Sequence, residues 1–193
     1  MRSKLLIVLQ IFSLQCSVAQ ISGGSTGIIF AKEFSKEIAL YSAKTFVIKD
    51  VLGESKDVVR FEVDPLAAAT SGELTTLVYK CESKKQEGLI LGFYGNYRNE
   101  SGVNYQAYAF KNLPINKANE LLDKIEKVAA ENGKYIDDDV DNNNIYFNYD
   151  DLAILIYNTP TSTKVRVYWK GFDSEWEWTT FKKTKKRLAK KLK

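Results

Sequence analysis

The 193-residue sequence contains no histidine. That removes the side chain most often used as a general base and as a zinc ligand. A Ser-His-Asp or Cys-His hydrolase is excluded, and most zinc enzymes with it. Cysteine is nearly absent too, with only Cys16 and Cys81. Cys16 falls in an N-terminal segment expected to be removed, so Cys81 stands alone. A lone thiol makes neither an internal disulfide nor a multi-cysteine metal site. Cys81 follows the apolar Leu77-Val78-Tyr79 and is expected to pack as a small hydrophobe. A phosphate-cradling GxxxxGK[ST] loop is also missing. Gly92-Phe93-Tyr94-Gly95 lacks the Lys and Ser/Thr that should follow. No cofactor is expected.

What is present begins with a three-part N-terminus. Arg2 and Lys4 are followed by the mostly apolar Leu5 to Leu14 and then by Ser17-Val18-Ala19. A positive start, a short apolar middle and a small-residue exit predict a secretory signal over residues 1–19, cleaved after Ala19. The apolar run is shorter than the roughly 20 residues of a membrane helix, and no later segment reaches that length. Two alternatives stay open. Cys16 could carry a lipid, although Gln15 stands where a small residue is wanted. The segment could also be a buried helix or strand. The first reading makes this an exported chain, periplasmic or extracellular.

Charge is unevenly spread. From residue 20 onward there are 26 basic and 24 acidic residues, but residues 182–193 hold eight basic and no acidic ones. The body is therefore acidic and the tail basic, unlike the uniformly basic surface of a nucleic-acid binder. Peripheral membrane contact through 182–193 is one expectation for that tail; a solvated helix is the other. No nucleic-acid partner is expected.

Residues 20–26 read as a flexible lead-in, 27–181 as one domain and 182–193 as the basic tail. Between residues 27 and 111 short strands are predicted at Thr45–Val51, Val58–Val63, Leu74–Cys81, Gly88–Tyr94 and Asn104–Lys111, separated by Gly, Ser and Asn turns. Glu33–Tyr41 is ambiguous. The period then changes. Ile115, Ala118, Leu121, Leu122, Ile125, Val128 and Ala129 recur at three- and four-residue steps, which predicts an amphipathic helix over 116–132. Asn116 would cap it and Gly133 would stop it. Strands resume at Lys134–Ile136, Ile145–Tyr149, Leu152–Tyr157, Lys164–Lys170 and Glu175–Thr179, before a short basic helix from Thr180 to Leu192. The fold class expected is α+β: a mainly antiparallel sheet with the 116–132 helix packed on it. A repeated β-meander-plus-helix unit, suggestive of internal duplication, is a further reading.

Four features could carry function. Asp137, Asp139 and Asp141 alternate as calcium ligands do, but Asn142 replaces the glycine and Asn148 the bidentate Glu of an EF-hand loop, so they are weak calcium candidates and the segment reads first as a polar hairpin turn. A carboxylate-dependent glycan hydrolase is the enzymatic alternative, since it needs only two acids; no pair stands out, and Glu175 and Glu177, which share a strand face, read as a solvated edge. Tyr94, Tyr97, Tyr105 and Tyr108 flank a hairpin tip; ordinary sheet packing is the first reading, and stacking on sugars or anchoring a protein the other. Asn99-Glu100-Ser101 is a glycosylation sequon. The expectation that follows is an exported, non-catalytic binding or structural protein with a protein or glycan partner.

Overall fold

The computed structural model describes residues 40–140 and 142–192. The expected signal 1–19, Cys16, the lead-in 20–26, residues 27–39 and Asp141 lie outside them. The fold is α+β, built on one antiparallel sheet. In chain order the elements are α1 (residues 40–52, its last turn Val47–Leu52 a π-helix), β1 (Glu62–Ala68), β2 (Leu74–Cys81), β3 (Gln86–Arg98), β4 (Asn104–Pro114), α2 (Ile115–Glu131), α3 (Gly133–Asp138), β5 (Asn144–Tyr149), β6 (Leu152–Thr159), β7 (Ser162–Trp169), β8 (Phe172–Glu177) and α4 (Trp178–Lys191). A four-strand antiparallel meander ending in a helix thus occurs twice in succession. The strand order is β1-β2-β3-β8-β7-β6-β5, and β4 pairs with the other side of β3.

The sheet's inner face packs on α2 and α4. Strict alternation sends Leu89, Leu91 and Phe93 of β3, Ile154 and Ile156 of β6, Val165 and Val167 of β7, and Trp176 of β8 to that side. Ala118, Leu121, Leu122 and Ile125 of α2 meet them, as do Phe181 and Leu188 of α4. Burying a Leu or Ile side chain contributes roughly 1.5–3 kcal/mol, so this cluster dominates the stability. The α4 helix also carries a buried polar contact: the Thr184 hydroxyl lies 2.8 Å from that of Thr76 on β2 and donates to Thr180 O. Thr76 then gives its single proton either to the Thr184 oxygen or to Ala67 O, 3.1 Å away, and neither hydroxyl is left unsatisfied. Two residues past position 181, Thr184 and Leu188, are therefore buried, and α4 runs straight through that expected boundary.

On the outer face of the first meander, Leu77, Tyr79, Cys81 and Ile90 are covered by Ala43, Val47 and Leu52 of α1. This corrects the strand expected at Thr45–Val51. Its β-branched residues favour a strand, but Ala43 and Val47 are one helical turn apart and both reach the sheet; tertiary packing overrides propensity. Lys134–Ile136 is likewise helical, within α3, because Gly133 begins that helix instead of ending α2. Ile136 is buried there. Asn116 lies inside α2, and the cap position is Pro114, with no side-chain cap bond. β1 begins four residues later than expected and runs through Pro65, where the pairing with β2 shifts register.

The two meanders touch along one narrow joint. Between β3 and β8 the one ladder pair is Tyr97 opposite Phe172, and Arg98 N–H donates to Gly171 O at 3.1 Å. A polar tie reinforces the inner side. Asp151, in the β5–β6 turn, accepts from Lys111 of β4 and, at 2.8 Å, from the Trp169 indole N–H. Partial burial acts to raise the Asp151 pKa, but Lys111 and Trp169 stabilise the carboxylate and hold it below its ordinary value. A depressed carboxyl contributes stability that is present above its unfolded pKa, about 3.9, and lost as pH falls through the lower folded value. Asp151→Ala should therefore cost about 1–2 kcal/mol at pH 7 by orphaning the indole N–H. Its deficit should shrink in denaturant melts taken stepwise from pH 5 to pH 2; a deficit constant with pH would assign the effect to packing alone.

Candidate functional site

No described element covers the outer face of β5–β8, in contrast to the first meander with its α1 lid. Three cross-strand rows line this face. Tyr146, Leu155, Arg166 and Glu175 form one; Asn144, Tyr157, Lys164 and Glu177 the next; Asn148, Ala153, Tyr168 and Asp173 the third. The inward partners are all apolar or small, so alternation alone decides which residues face out.

The charges on the face are held diagonally across the β7–β8 ladder. Lys164 Nζ lies 2.7 Å from Glu175 Oε1, and Arg166 Nε lies 2.7 Å from Asp173 Oδ1. Glu175 raises the Lys164 pKa, and the Asp173 bond raises that of Arg166, so both stay cationic. Burial, followed by the charge of Asp173, pushes the Tyr168 hydroxyl up. Tyr157 is the ladder partner of Lys164, and its hydroxyl is hydrogen-bonded to Arg166. Tyr146 is 62% exposed and donates to Asn148 Oδ1 at 2.7 Å. The half-buried pairs are ordered side chains presented on rigid strands, a better base for recognition than loop residues.

The free side of β8 is closed by carboxylates instead of a strand. Glu73 Oε2 accepts from the Glu175 backbone N–H at 2.9 Å. Glu177 Oε2 accepts from the hydroxyls of Thr70 at 2.9 Å and Thr180 at 3.2 Å. Glu175 and Glu177 are thus an ion-pair partner and a hydroxyl acceptor. A glycosidase acid needs a raised pKa. Among the described residues, the carboxyls of Glu126 and Asp151 are both held low.

The other sequence candidates fall apart in space. The four hairpin tyrosines split between opposite faces. Tyr94 stacks on Tyr108 at 6.2 Å, beside Phe110, whereas Tyr97 packs on Tyr105 and Phe172, both at 5.1 Å. Burial pushes the Tyr94 hydroxyl up. The sequon is the hairpin tip itself, where Asn99 Oδ1 accepts from Val103 N–H at 2.8 Å. In the acidic loop, Asp137 accepts from Asn158, and Asp139 accepts from the Asn142 amide at 2.9 Å. Among the described residues no three acids, cysteines or histidines gather as metal ligands. An open groove of about 610 Å³ lies between residues 58–62 and 80–83, where Lys80 and Glu82 pair with each other at 3.3 Å.

Period-two alternation over the strand expected at Lys164–Lys170 puts Lys164, Arg166 and Tyr168 on one face. It missed Asp173 and Glu73. The first was recoverable: Gly171 after Lys170 signals a two-residue turn, which starts β8 at Phe172 rather than at Glu175. Glu73 was not, because its partner is 102 residues away. Compared with known proteins, the chain matches no family model, no curated protein and no solved structure.

Proposed function

We propose that this chain is an exported, non-catalytic glycan-binding protein that meets its ligand on the outer face of β5–β8. The observation that carries the proposal is that face: tyrosine rings interleaved with a guanidinium, an ammonium, carboxylates and amides, all on rigid strands and covered by no described element. Tyrosine rings offer apolar faces to sugar C–H groups, and planar forked groups suit vicinal hydroxyls. Protein interfaces are depleted in Lys, Asp and Glu, whereas Lys164, Asp173, Glu175 and Glu177 all lie on this face. That composition favours a glycan over a protein partner. Export is supported by the signal pattern of residues 1–19.

Two measurements test this. Mass spectrometry of the chain recovered from outside the producing cell's cytoplasm should place its N-terminus at Gln20. Thermal melts against a panel of soluble cell-surface oligosaccharides should give a rise for at least one; a ligand at 100 times its Kd adds about 2.7 kcal/mol. Tyr157→Ala and Arg166→Ala should each abolish the rise while leaving the ligand-free melt cooperative. No rise with any sugar at millimolar concentration, or a rise untouched by both substitutions, would reject this face as a glycan site.

A further inference from the structure

The second surface of interest is on the opposite side, where α2 and α4 face solvent. Charge is segregated there. The two helices together carry ten basic and four acidic residues, whereas the rest of the described chain carries thirteen basic and seventeen acidic. The helical layer is thus cationic and the sheet side anionic.

Within α4 the cations divide into two sets. Lys182 and Lys185 bind Glu126, and Lys185 also reaches Asp123 at 2.7 Å. Lys191 pairs with Asp64 at 2.7 Å, and Arg187 donates to Leu66 O. These side chains fasten the helix to α2 and β1. Lys183, Lys186 and Lys190 do not: no described carboxylate pairs with them, and all three are exposed. Their spacing, three and then four residues, puts them in one row along the helix, opposite the buried Phe181, Thr184 and Leu188. A favourable contact with the helix macrodipole accounts for Lys190 in the last turn, but not for Lys183, two turns earlier.

We infer that this lysine row docks the protein on the anionic headgroups of a lipid bilayer. Charge complementarity selects the occupant, and the shape of the surface selects a bilayer: the row lies along the convex side of a helix, where one plane can touch all three ammonium groups. Binding is electrostatic and superficial, because the apolar residues of α4 are used up on the sheet and cannot insert. In that orientation the outer face of β5–β8 points away from the bilayer.

The test is sedimentation of the full chain with vesicles of phosphatidylcholine containing one-third phosphatidylglycerol, and with pure phosphatidylcholine vesicles as reference. The reference subtracts any binding by the apolar N-terminal segment. Each surface lysine adds roughly fivefold to partitioning on an anionic membrane. K183Q/K186Q/K190Q should therefore weaken the phosphatidylglycerol-dependent part on the order of 100-fold at low salt, as should raising salt from 0.05 to 0.5 M. K44Q/K49Q/K56Q, which removes the same net charge from exposed lysines elsewhere, should change it by less than about fivefold. Equal losses in both triple variants would show that net charge alone matters and overturn the inference. So would binding to a soluble polyanion such as heparin without any phosphatidylglycerol-dependent sedimentation.

Discussion

Gly171→Ala should destabilise the protein by roughly 2–4 kcal/mol, the sum of a left-handed backbone penalty and a backbone clash. Gly171 sits at φ +85°, and an added Cβ would lie 2.4 Å from Arg98 O and 3.2 Å from the Tyr97 ring. Those atoms form the joint where β3 meets β8, so relief requires moving the two meanders apart. At this chain length the expected drop in Tm is roughly 5–15 °C. Gly72→Ala is the natural control. It has a similar φ of +79° but open space around the new methyl, so it should cost only the conformational part, about 1–2 kcal/mol. Equal losses at the two positions, measured by chemical denaturation, would mean that the joint is compliant and that the β3–β8 contact contributes little.

Cutting the chain after Phe181 should abolish cooperative unfolding altogether. The lost segment looks expendable by composition, with eight basic residues among its twelve. In the fold it supplies the buried Leu188, the Thr184 hydroxyl that meets Thr76, and both lysines bound to Glu126. Those lysines hold the Glu126 carboxyl below its ordinary pKa. Leu188→Ala alone should cost roughly 2–5 kcal/mol, as for other fully buried leucines. The test is a thermal melt followed by near-ultraviolet circular dichroism, which reports the packing of Trp176 and Trp178 around Phe181. A truncated chain that melts within a few degrees of the full chain would reduce α4 to a decoration. The same point governs any study of the lysine row: deletion would remove the fold along with the charges, so substitutions at Lys183, Lys186 and Lys190 are the informative variants.

Much of the architecture was legible from residue order. Short strand-favouring runs between turn signals located β2 with its ends at Leu74 and Cys81, and also found β5, β6 and β7. The three- and four-residue spacing of Ala118, Leu121, Leu122 and Ile125 located α2. Such signals are local: each residue's side is decided by its neighbours two to four positions away. Even the splitting of the hairpin tyrosines was implicit, because Tyr94 and Tyr97 are three positions apart, an odd step, in one strand.

What the sequence alone determined was therefore the antiparallel α+β class, the segregation of apolar from polar faces and the absence of histidine-based chemistry. The tertiary structure decided the rest. Thr45–Val51 is helical because Ala43 and Val47 find an apolar sheet to cover, an interaction with residues at least 30 positions away. Glu73 belongs beside Glu175, and Lys182 beside Glu126, only because the helices and meanders fold back on one another. Which face of each meander stays open, and which lysines of α4 remain unpaired, depends on those same long-range contacts. A face or a charge becomes a surface for recognition only after packing has used up its competitors, and that accounting is not written in any local window of the chain.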